Sequence, residues 1–212
     1  MPVKGQDYCE YLAYDTAIGL IGRCHRKGGE STWGYRQIFK ELKAAGYGIK
    51  VVVSDGGTGI FSALRAFGIK RHQRCHIHLL RDLKTGLRMH GKRPKIVLRK
   101  YYCVRYAKLL LAAKDEYQLA LRLKHFERIV FTMWPGSGDV ELNAIRGFLK
   151  TLLLAFTFMD YQKLWDIPKT TNALEGYISH LNARLKTMRG LKNPANAGRI
   201  LNAIHYFLRK KI

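Results

Sequence analysis

The sequence predicts an α/β protein whose first third is rich in β-strands and whose remainder is helical. Two short segments near the N-terminus, joined by a turn, look like a pair of strands. The nearly all-apolar, β-branched run IKVVV at residues 49–53 is typical of a strand buried on both faces. From residue 76 onward, apolar residues recur at helical spacing.

One helix interrupts the predicted strands of the first third. Residues 8–14 and 20–25 are expected to form an antiparallel hairpin around the turn DTAIG. A helix is expected over residues 31–45, because the apolar residues there share one face, and Gly46 is expected to end it.

The buried strand at residues 49–53 ends abruptly at SDGG. A short helix is then predicted over residues 59–67, and residues 70–75 are predicted to form a further edge strand. Breaks at GKRP, WPGSG and DIP separate the helical segments that follow. These segments are residues 76–89, 96–114, 116–133, 142–165, 172–188 and 195–210.

The order of these elements indicates a particular core. A ribonuclease-H-like α/β core would give a hairpin, helix, strand, helix, short strand and then helices if its first strand were absent. The 212 residues suffice for one substantial domain, or for one domain that carries a large insertion.

The chain is strongly basic. Lysine and arginine outnumber aspartate and glutamate by 38 to 15, which gives a formal charge of +23, while the hydrophobic fraction of 47% is that of a folded protein. A charge of this size indicates a polyanionic partner, because neutralising phosphates and releasing their counterions supplies most non-specific affinity for nucleic acids. A basic ribosomal-type protein and a membrane-surface protein are the alternatives.

The sequence gives no sign of export or of a membrane partner. The segment MPVKGQDYCEY lacks the apolar core of a signal peptide, and stretches such as LLLAFTFM are much shorter than the ~18 residues that cross a bilayer. Four scattered cysteines do not form a secreted disulfide pattern and are expected to be reduced. A soluble, cytoplasmic and nucleoid-associated protein is therefore expected.

Asp55 is the first candidate for chemistry. It follows the predicted buried strand, at the end where open α/β sheets place their ligands. The two glycines after it would let a substrate backbone come close. The alternative is that Asp-Gly after a strand is simply a turn, so the interpretation depends on a partner acid.

Glu175 is the candidate partner, in a C-terminal segment otherwise rich in lysine and arginine. Two carboxylates that converge from a strand end and a helix could bridge two divalent ions about 3.5–4 Å apart for in-line displacement at phosphorus. The alternative is a capping box in which Asn172 caps the helix and Glu175 completes the cap.

Three cations follow Glu175 along the same predicted helix: Arg184, Lys186 and Arg189. Such a row could track a phosphate backbone and bind DNA. The alternative is a solvated helix face.

Cys75 and His78 form a C-x-x-H pair just after the predicted edge strand. A zinc site needs four ligands at suitable spacing, and Cys24, His25 and His76 could contribute to one. A buried cysteine, with a histidine that caps the helix or faces phosphate, is the favoured interpretation.

Three tryptophans are further candidates for contact with nucleic acid. Trp33, Trp134 and Trp165 could stack on bases. Packing in the core is the expected role of all three.

Three motifs in order resemble one family. The segments VVVSDGG, HQRCHIHLLRDL and IPKTTNALEGYISHLNARLKTMRGL are similar to those of the DDE transposases of the Mutator-like (MULE-type) group, including its bacterial insertion-sequence branch. The resemblance covers nearly the whole chain. It implies that Asp55 is the second catalytic carboxylate, that Glu175 is the third, and that Cys75 and His78 are the C-x-x-H pair.

The resemblance also implies an organisation and a reaction. Residues 1–75 would be the N-terminal part of the ribonuclease-H-like core, 76–165 a helical insertion, and 166–212 the helices that complete the core. Asp55 and Glu175 would bind Mg²⁺ or Mn²⁺ for DNA cleavage and strand transfer, acting on terminal inverted repeats and target DNA. The sequence leaves the oligomeric state open and is compatible with a homodimer.

The family's first catalytic aspartate has no good counterpart in this sequence. Asp7 and Asp15 are the nearby acids, and neither matches the expected Asp-Gly-Thr-like context. The expectation is a chain that starts after this aspartate, a truncated or inactive copy whose own strand cleavage is very weak. A non-catalytic basic nucleic-acid-binding protein, and a nuclease or resolvase of the same fold, are the competing functions.

Overall fold

The structure, a computed structural model, describes residues 8–89, 98–135, 140–187 and 194–209. The described residues fall into two compact units. The first, which we call the hairpin unit, is drawn from Met1–Lys50, Gly57–Lys70 and Thr171–Ile212. The second, the helical unit, is drawn from Val51–Gly56 and Arg71–Thr170.

Most strands and helices lie close to their predicted positions. The strands are β1 (Tyr8–Asp15), β2 (Gly19–Lys27), β3 (Val52–Ser54) and β4 (His72–Arg74). The helices are α1 (Thr32–Ala44), α2 (Thr58–Ala66), α3 (His76–Gly86), α4 (Leu98–Leu111), α5 (Glu116–Met133), α6 (Val140–Leu152), α7 (Thr157–Tyr161), α8 (Asn172–Thr187) and α9 (Pro194–Arg209). A 3₁₀ turn over Leu153–Phe156 separates α6 from α7.

Strands β1 and β2 of the hairpin unit form the antiparallel hairpin that the sequence predicts, with Tyr11 opposite Cys24. Asp15 lies at the turn. One of its carboxylate oxygens accepts hydrogen bonds from the backbone N–H of Ala17 at 2.8 Å and of Ile18 at 3.1 Å. A short side chain that hydrogen-bonds to the backbone two residues ahead commonly stabilises a turn. This contact explains why an aspartate lies at position 15.

Helix α1 packs on one face of the hairpin. Gly34 lies so close to the ring of Tyr11 that a β-carbon at Gly34 would overlap it. The Tyr11 hydroxyl accepts a hydrogen bond from the Ser31 N–H at 2.7 Å, just before the helix begins. Gly46, with φ +83°, follows the end of the helix, as predicted. The predicted apolar face is buried at Ile38, Phe39 and Leu42.

Helices α8 and α9 pack on the opposite face of the hairpin. Successive residues of a strand point to opposite faces, so Glu10, beside Tyr11, points away from α1 and meets His205 of α9. The small apolar core on this face consists of Leu20, Tyr177, Leu181, Leu201 and Ile204.

In the helical unit, β3 and β4 run parallel, with Val52 opposite His72 and Ser54 opposite Arg74. Helices α3 to α6 and the segment after them supply the core of this unit. Its most buried large side chains are Leu79, Leu83, Leu87, Leu110, Phe126, Val130, Ile145 and Leu152.

A buried glutamine attaches β4 to the chain between α6 and α7. The Gln73 side-chain amide donates to the carbonyl of Ala155 at 2.7 Å and to that of Arg74 at 2.9 Å, and its oxygen accepts from the Phe158 N–H at 3.0 Å. The ring of His76 donates to the same Ala155 carbonyl at 2.6 Å. These bonds satisfy polar groups that burial would otherwise leave costly.

Two predicted elements differ from those observed. The strand expected at residues 49–53 is the shorter Val52–Ser54, and Val52 and Val53 are half-buried rather than buried on both faces. The helix expected at 142–165 breaks after α6. It breaks because Phe158 donates its backbone N–H to Gln73, and the Thr157 hydroxyl donates to the His72 carbonyl at 2.8 Å.

The observed fold is a mixed α/β structure that is mostly helical. Its described strands form two separate two-stranded sheets, β1–β2 and β3–β4. A ribonuclease-H-like core, the helical insertion over 76–165, and the division into 1–75, 76–165 and 166–212 therefore stay predictions.

One apolar helical stretch among the described residues, Val140–Tyr161, has the length and composition of a membrane-spanning helix. Half of its most apolar window is buried inside the protein. Ile145, Phe148 and Leu152 lie in the core of the helical unit. This packing accounts for the apolar composition, as it does for core helices of soluble proteins.

Candidate active site

Asp55 is exposed and follows directly on the buried Ser54, at the carboxyl end of β3. The Ser54 hydroxyl accepts a hydrogen bond from the Gly56 N–H at 3.1 Å. It also shares a hydrogen bond of 2.7 Å with His72 Nε2 on β4. The strand therefore ends in a turn that is tied to its neighbour, and this turn presents a carboxylate to solvent.

His72 supports this turn as a neutral side chain. Burial lowers its pKa to about 4, and the nearby Arg74 guanidinium adds to the shift, whereas Asp55 opposes it. The imidazole is therefore uncharged near pH 7, where it can hydrogen-bond to Ser54 without adding charge beside Asp55.

Arg74 lies beneath the same turn and is nine-tenths buried. Its guanidinium forms an ion pair with Asp82 of α3 and donates to the Gly56 carbonyl at 3.5 Å. Sequence reasoning missed His72 and Arg74 as neighbours of the turn that carries Asp55. The signal that could have found them is the parallel pairing of two short strands, which aligns residues 72–74 with 52–54.

Cys75 and His78 lie at the start of α3. Cys75 is fully buried, as expected; its N–H donates to the Ser54 carbonyl at 2.8 Å, and its carbonyl accepts from the Leu79 N–H at 3.0 Å as the helix begins. His78 is half-buried, and its Nε2 accepts a hydrogen bond from Arg81 at 3.2 Å. Zinc binding by the pair stays an open interpretation.

Glu175 lies in the first turn of α8, in the hairpin unit, and is half-buried. The Thr171 hydroxyl donates a hydrogen bond to its carboxylate at 2.6 Å, and the Glu175 N–H donates to the Thr171 carbonyl at 2.9 Å. Asn172 is the first residue of the helix rather than the residue before it. The alternative interpretation, a capping box of Asn172 and Glu175, is therefore not the arrangement observed, and the contact that orients Glu175 comes from Thr171.

Helix α8 is anchored by a buried polar network. The Tyr177 hydroxyl hydrogen-bonds to His205 Nδ1, and His205 Nε2 bonds to a carboxylate oxygen of Glu10 at 2.8 Å. Each of the three side chains is more than nine-tenths buried. The network joins β1, α8 and α9 within the hairpin unit. Nothing local in the sequence signals it, because its members come from distant parts of the chain.

The three predicted DNA-binding cations are described to different extents. Arg184 is half-buried on α8. Lys186 is placed on α8 by its backbone, and Arg189 lies outside the described residues. Of the candidates for the first carboxylate, Asp7 lies outside the described residues, and Asp15 stabilises the hairpin turn.

The tryptophans do not behave alike. Trp134 is buried, and Trp165 packs partly buried against the core of the helical unit, as expected. Trp33 is 47% exposed, so the expectation of core packing is wrong for it. It lies in the first turn of α1, where the Arg26 guanidinium lies 4.7 Å from its ring centroid. Such a cation–π contact is compatible with exposure.

The predicted site residues belong to both compact units. Asp55, Cys75 and His78 are in the helical unit, and Glu175 and Arg184 are in the hairpin unit. The meeting of Asp55 and Glu175 stays a prediction. Within the helical unit, the pairing of β3 with β4 does bring Asp55 and Cys75 to the ends of neighbouring strands.

A formal charge of +23 on a folded α/β protein is typical of proteins that bind nucleic acids. Comparison with protein families makes this specific: residues 20–208 match the family described as Transposase, Mutator family. The chain therefore belongs to the Mutator family of transposases, and the family implies DNA as its partner. No curated protein and no solved structure matches the chain.

Proposed function

We propose that the chain is the catalytic domain of a DDE transposase, which cleaves the ends of an insertion sequence and joins them to target DNA. Asp55 and Glu175 are the proposed catalytic carboxylates. The observation that carries the proposal is the exposed Asp55 at the end of β3, in a turn held by hydrogen bonds of the buried Ser54, in a chain that matches the Mutator family over residues 20–208.

The donor groups fit a divalent metal. Carboxylate oxygens are preferred ligands of Mg²⁺ and of Mn²⁺. Asp55 is exposed and Glu175 is half-buried, so neither carboxylate is locked in an apolar core. Bound Mg²⁺ would stabilise the attacking and leaving oxygens of a phosphodiester during in-line displacement.

The chain's own residues orient these two acids. The turn at Ser54 and Gly56 fixes the backbone on which Asp55 sits. The Thr171 hydroxyl fixes one oxygen of Glu175, as partners of metal-binding carboxylates commonly do. Arg184, Lys186 and Arg189 are the proposed contacts to DNA phosphates, where a positive charge adds affinity without reading sequence.

Metal binding and DNA nicking together test the proposal. Mn²⁺ binding, followed by electron paramagnetic resonance of the free ion, should weaken in Asp55→Asn and Glu175→Gln. The weak Mg²⁺-dependent nicking expected of this chain, on DNA that carries the matching terminal repeats, should fall to background, since both residues act on the reacting phosphate.

Two exposed acids provide matched controls. Asp160→Asn removes a carboxylate from the helical unit, and Glu116→Gln removes one from the first turn of α5, as Glu175 lies in the first turn of α8. Both should bind Mn²⁺ and nick DNA like the wild type. Wild-type behaviour of Asp55→Asn and Glu175→Gln would contradict the proposal and favour a non-catalytic DNA-binding protein. Nicking without strand transfer would indicate a nuclease or resolvase.

A further inference from the structure

The turn that carries Asp55 has no room for a side chain at its next residue. Gly56 has φ +81°, and a β-carbon there would overlap the Arg74 guanidinium. Gly46, at the end of α1, has nearly the same φ of +83° but nothing within 4 Å of the equivalent position. Gly56 is thus required by both its backbone conformation and its close approach to Arg74.

Arg74 is an unusual residue to find beneath a turn. It is 7% exposed, and its Nε, among the described residues, has no hydrogen-bond partner. Its partner Asp82 has a side chain 58% exposed, so the ion pair is only partly removed from water. Burying a guanidinium with incomplete pairing does not by itself stabilise a fold, which suggests that Arg74 is placed for another purpose.

We propose that Arg74 is a positioning residue for Asp55, an inference that rests on the proposed catalytic role of Asp55. The guanidinium fills the space under Gly56, binds the Gly56 carbonyl, and is itself held by Asp82 of α3. It therefore limits the turn to one conformation and keeps the exposed carboxylate where a metal ion can be bound. Removing a residue that orients a metal ligand in this way commonly lowers metal affinity or activity by about 10–100-fold.

Direct contact with DNA is the alternative role for an arginine in a transposase. At 7% exposed, the Arg74 side chain cannot present its planar donor face to a phosphate. Its donors are directed at Asp82 and Gly56 instead. Arg74 therefore acts on the turn that carries Asp55 and not on DNA directly.

Hydrogen exchange tests whether Arg74 restrains the turn, and it requires neither metal binding nor enzymatic activity. Amide exchange in residues 54–57 should become about tenfold faster in Arg74→Ala, because the turn can then open locally. Asp82→Asn should have the same effect in the same direction. Arg74→Lys keeps the charge but not the forked donors, so it should resemble Arg74→Ala; exchange at the wild-type rate in Arg74→Ala would overturn the inference.

The glycine provides a reciprocal test. Gly56→Ala should also speed exchange in the turn, through backbone strain and through overlap with Arg74. In the double variant Gly56→Ala/Arg74→Ala the overlapping group is gone and only the strain remains, so the effect should be smaller than the two single effects added together. Gly46→Ala imposes the same backbone strain where no side chain is near. It should leave residues 54–57 unchanged. Strictly additive effects of Gly56→Ala and Arg74→Ala would mean that the two residues do not act on each other.

Mn²⁺ binding to the same variants tests the functional part. Asp55→Asn should remove the binding, and Arg74→Ala should weaken it about tenfold or more while the fold, followed by circular dichroism, is kept. If Asp55→Asn loses binding but Arg74→Ala keeps the wild-type affinity, Arg74 has only a structural role. That result would overturn the inference about Arg74 and leave the proposed function standing. Wild-type binding in Asp55→Asn would overturn the proposed function, and with it the role of Arg74 in metal binding.

Discussion

The ring planes of Tyr177 on α8 and His205 on α9 lie 8° apart, and the Tyr177 hydroxyl hydrogen-bonds to the imidazole. On its other side the imidazole binds Glu10 of β1. A tyrosine two residues after Glu175 is thereby fixed to the hairpin through buried polar groups. The helix that carries a proposed catalytic acid is held by hydrogen bonds as well as by apolar packing.

Removing one hydroxyl from this network should destabilise the hairpin unit. Tyr177→Phe keeps the ring but removes the hydrogen-bond partner of the buried His205 Nδ1, which costs about 1–3 kcal/mol in the free energy of unfolding. Urea unfolding monitored by circular dichroism measures the change. Tyr117→Phe, at a tyrosine 78% exposed, is the matched control and should have almost no effect. Equal stability of the two variants would show that the network adds nothing.

The elements that sequence reasoning found are those set by local chemistry. The hairpin turn, the apolar face of α1 and the stop at Gly46 each depend on residues close together in the chain. The position of Asp55 at a strand end was likewise predictable, because an apolar β-branched run followed by Asp-Gly-Gly is a local pattern.

What sequence reasoning missed depends on contacts between distant residues. The break before α7 arises because Gln73 binds the Phe158 N–H from 85 positions earlier in the chain, and no periodicity reveals such a bond. Arg74 lies in the strand predicted at residues 70–75, but nothing in that prediction indicated that its side chain is buried. Asn172 was a plausible cap from its residue type alone, but the hydroxyl of Thr171 reaches Glu175 instead.

Buried His72 should make the stability of the helical unit depend on pH. Its pKa falls from 6.5 to about 4 on folding, first because of burial and then because of Arg74. Between these values the unfolded chain binds a proton that the folded chain does not, so the free energy of unfolding should decrease as pH falls, by about 2–3 kcal/mol over the window.

A variant without the titrating ring separates this effect from general acid denaturation. His72→Gln keeps a polar nitrogen near Ser54 and should flatten the profile between pH 6.5 and 4 in urea unfolding. His125→Gln, at an exposed histidine of α5, should keep the wild-type slope. If His72→Gln and the wild type lose stability in parallel, His72 is not the group responsible.

The hydroxyl of Thr171 should matter for metal affinity. Thr171→Val keeps the shape of the side chain but removes the hydrogen bond to Glu175. Loss of a group that orients a metal ligand lowers affinity by about 10–100-fold, so Mn²⁺ should bind more weakly. Thr170→Val changes the neighbouring residue in the same way and should bind Mn²⁺ like the wild type. Indistinguishable affinities would mean that Glu175 needs no such support.

The two tryptophans with opposite burial should differ in their effect on stability. Trp134 is 3% exposed, and its indole N–H donates to Glu141 at 2.9 Å, so Trp134→Ala should cost about 3–5 kcal/mol. Trp33 is 47% exposed, and Trp33→Ala should cost only about 1 kcal/mol. Thermal and urea unfolding of the two variants measure the difference, and a large loss in Trp33→Ala would indicate a core role after all.

Binding of the chain to DNA should weaken steeply with salt, because its net charge of +23 releases counterions from phosphates. If Arg184 binds one phosphate, Arg184→Ala should reduce the slope of log K against log salt by about 0.9. Fluorescence anisotropy with duplex DNA at several salt concentrations measures the slope. Arg105→Ala removes an exposed arginine from α4 and should leave the slope unchanged. Both variants lose one positive charge, but only Arg184 lies on the helix of Glu175. The comparison therefore separates a specific contact between Arg184 and a phosphate from the general effect of net charge.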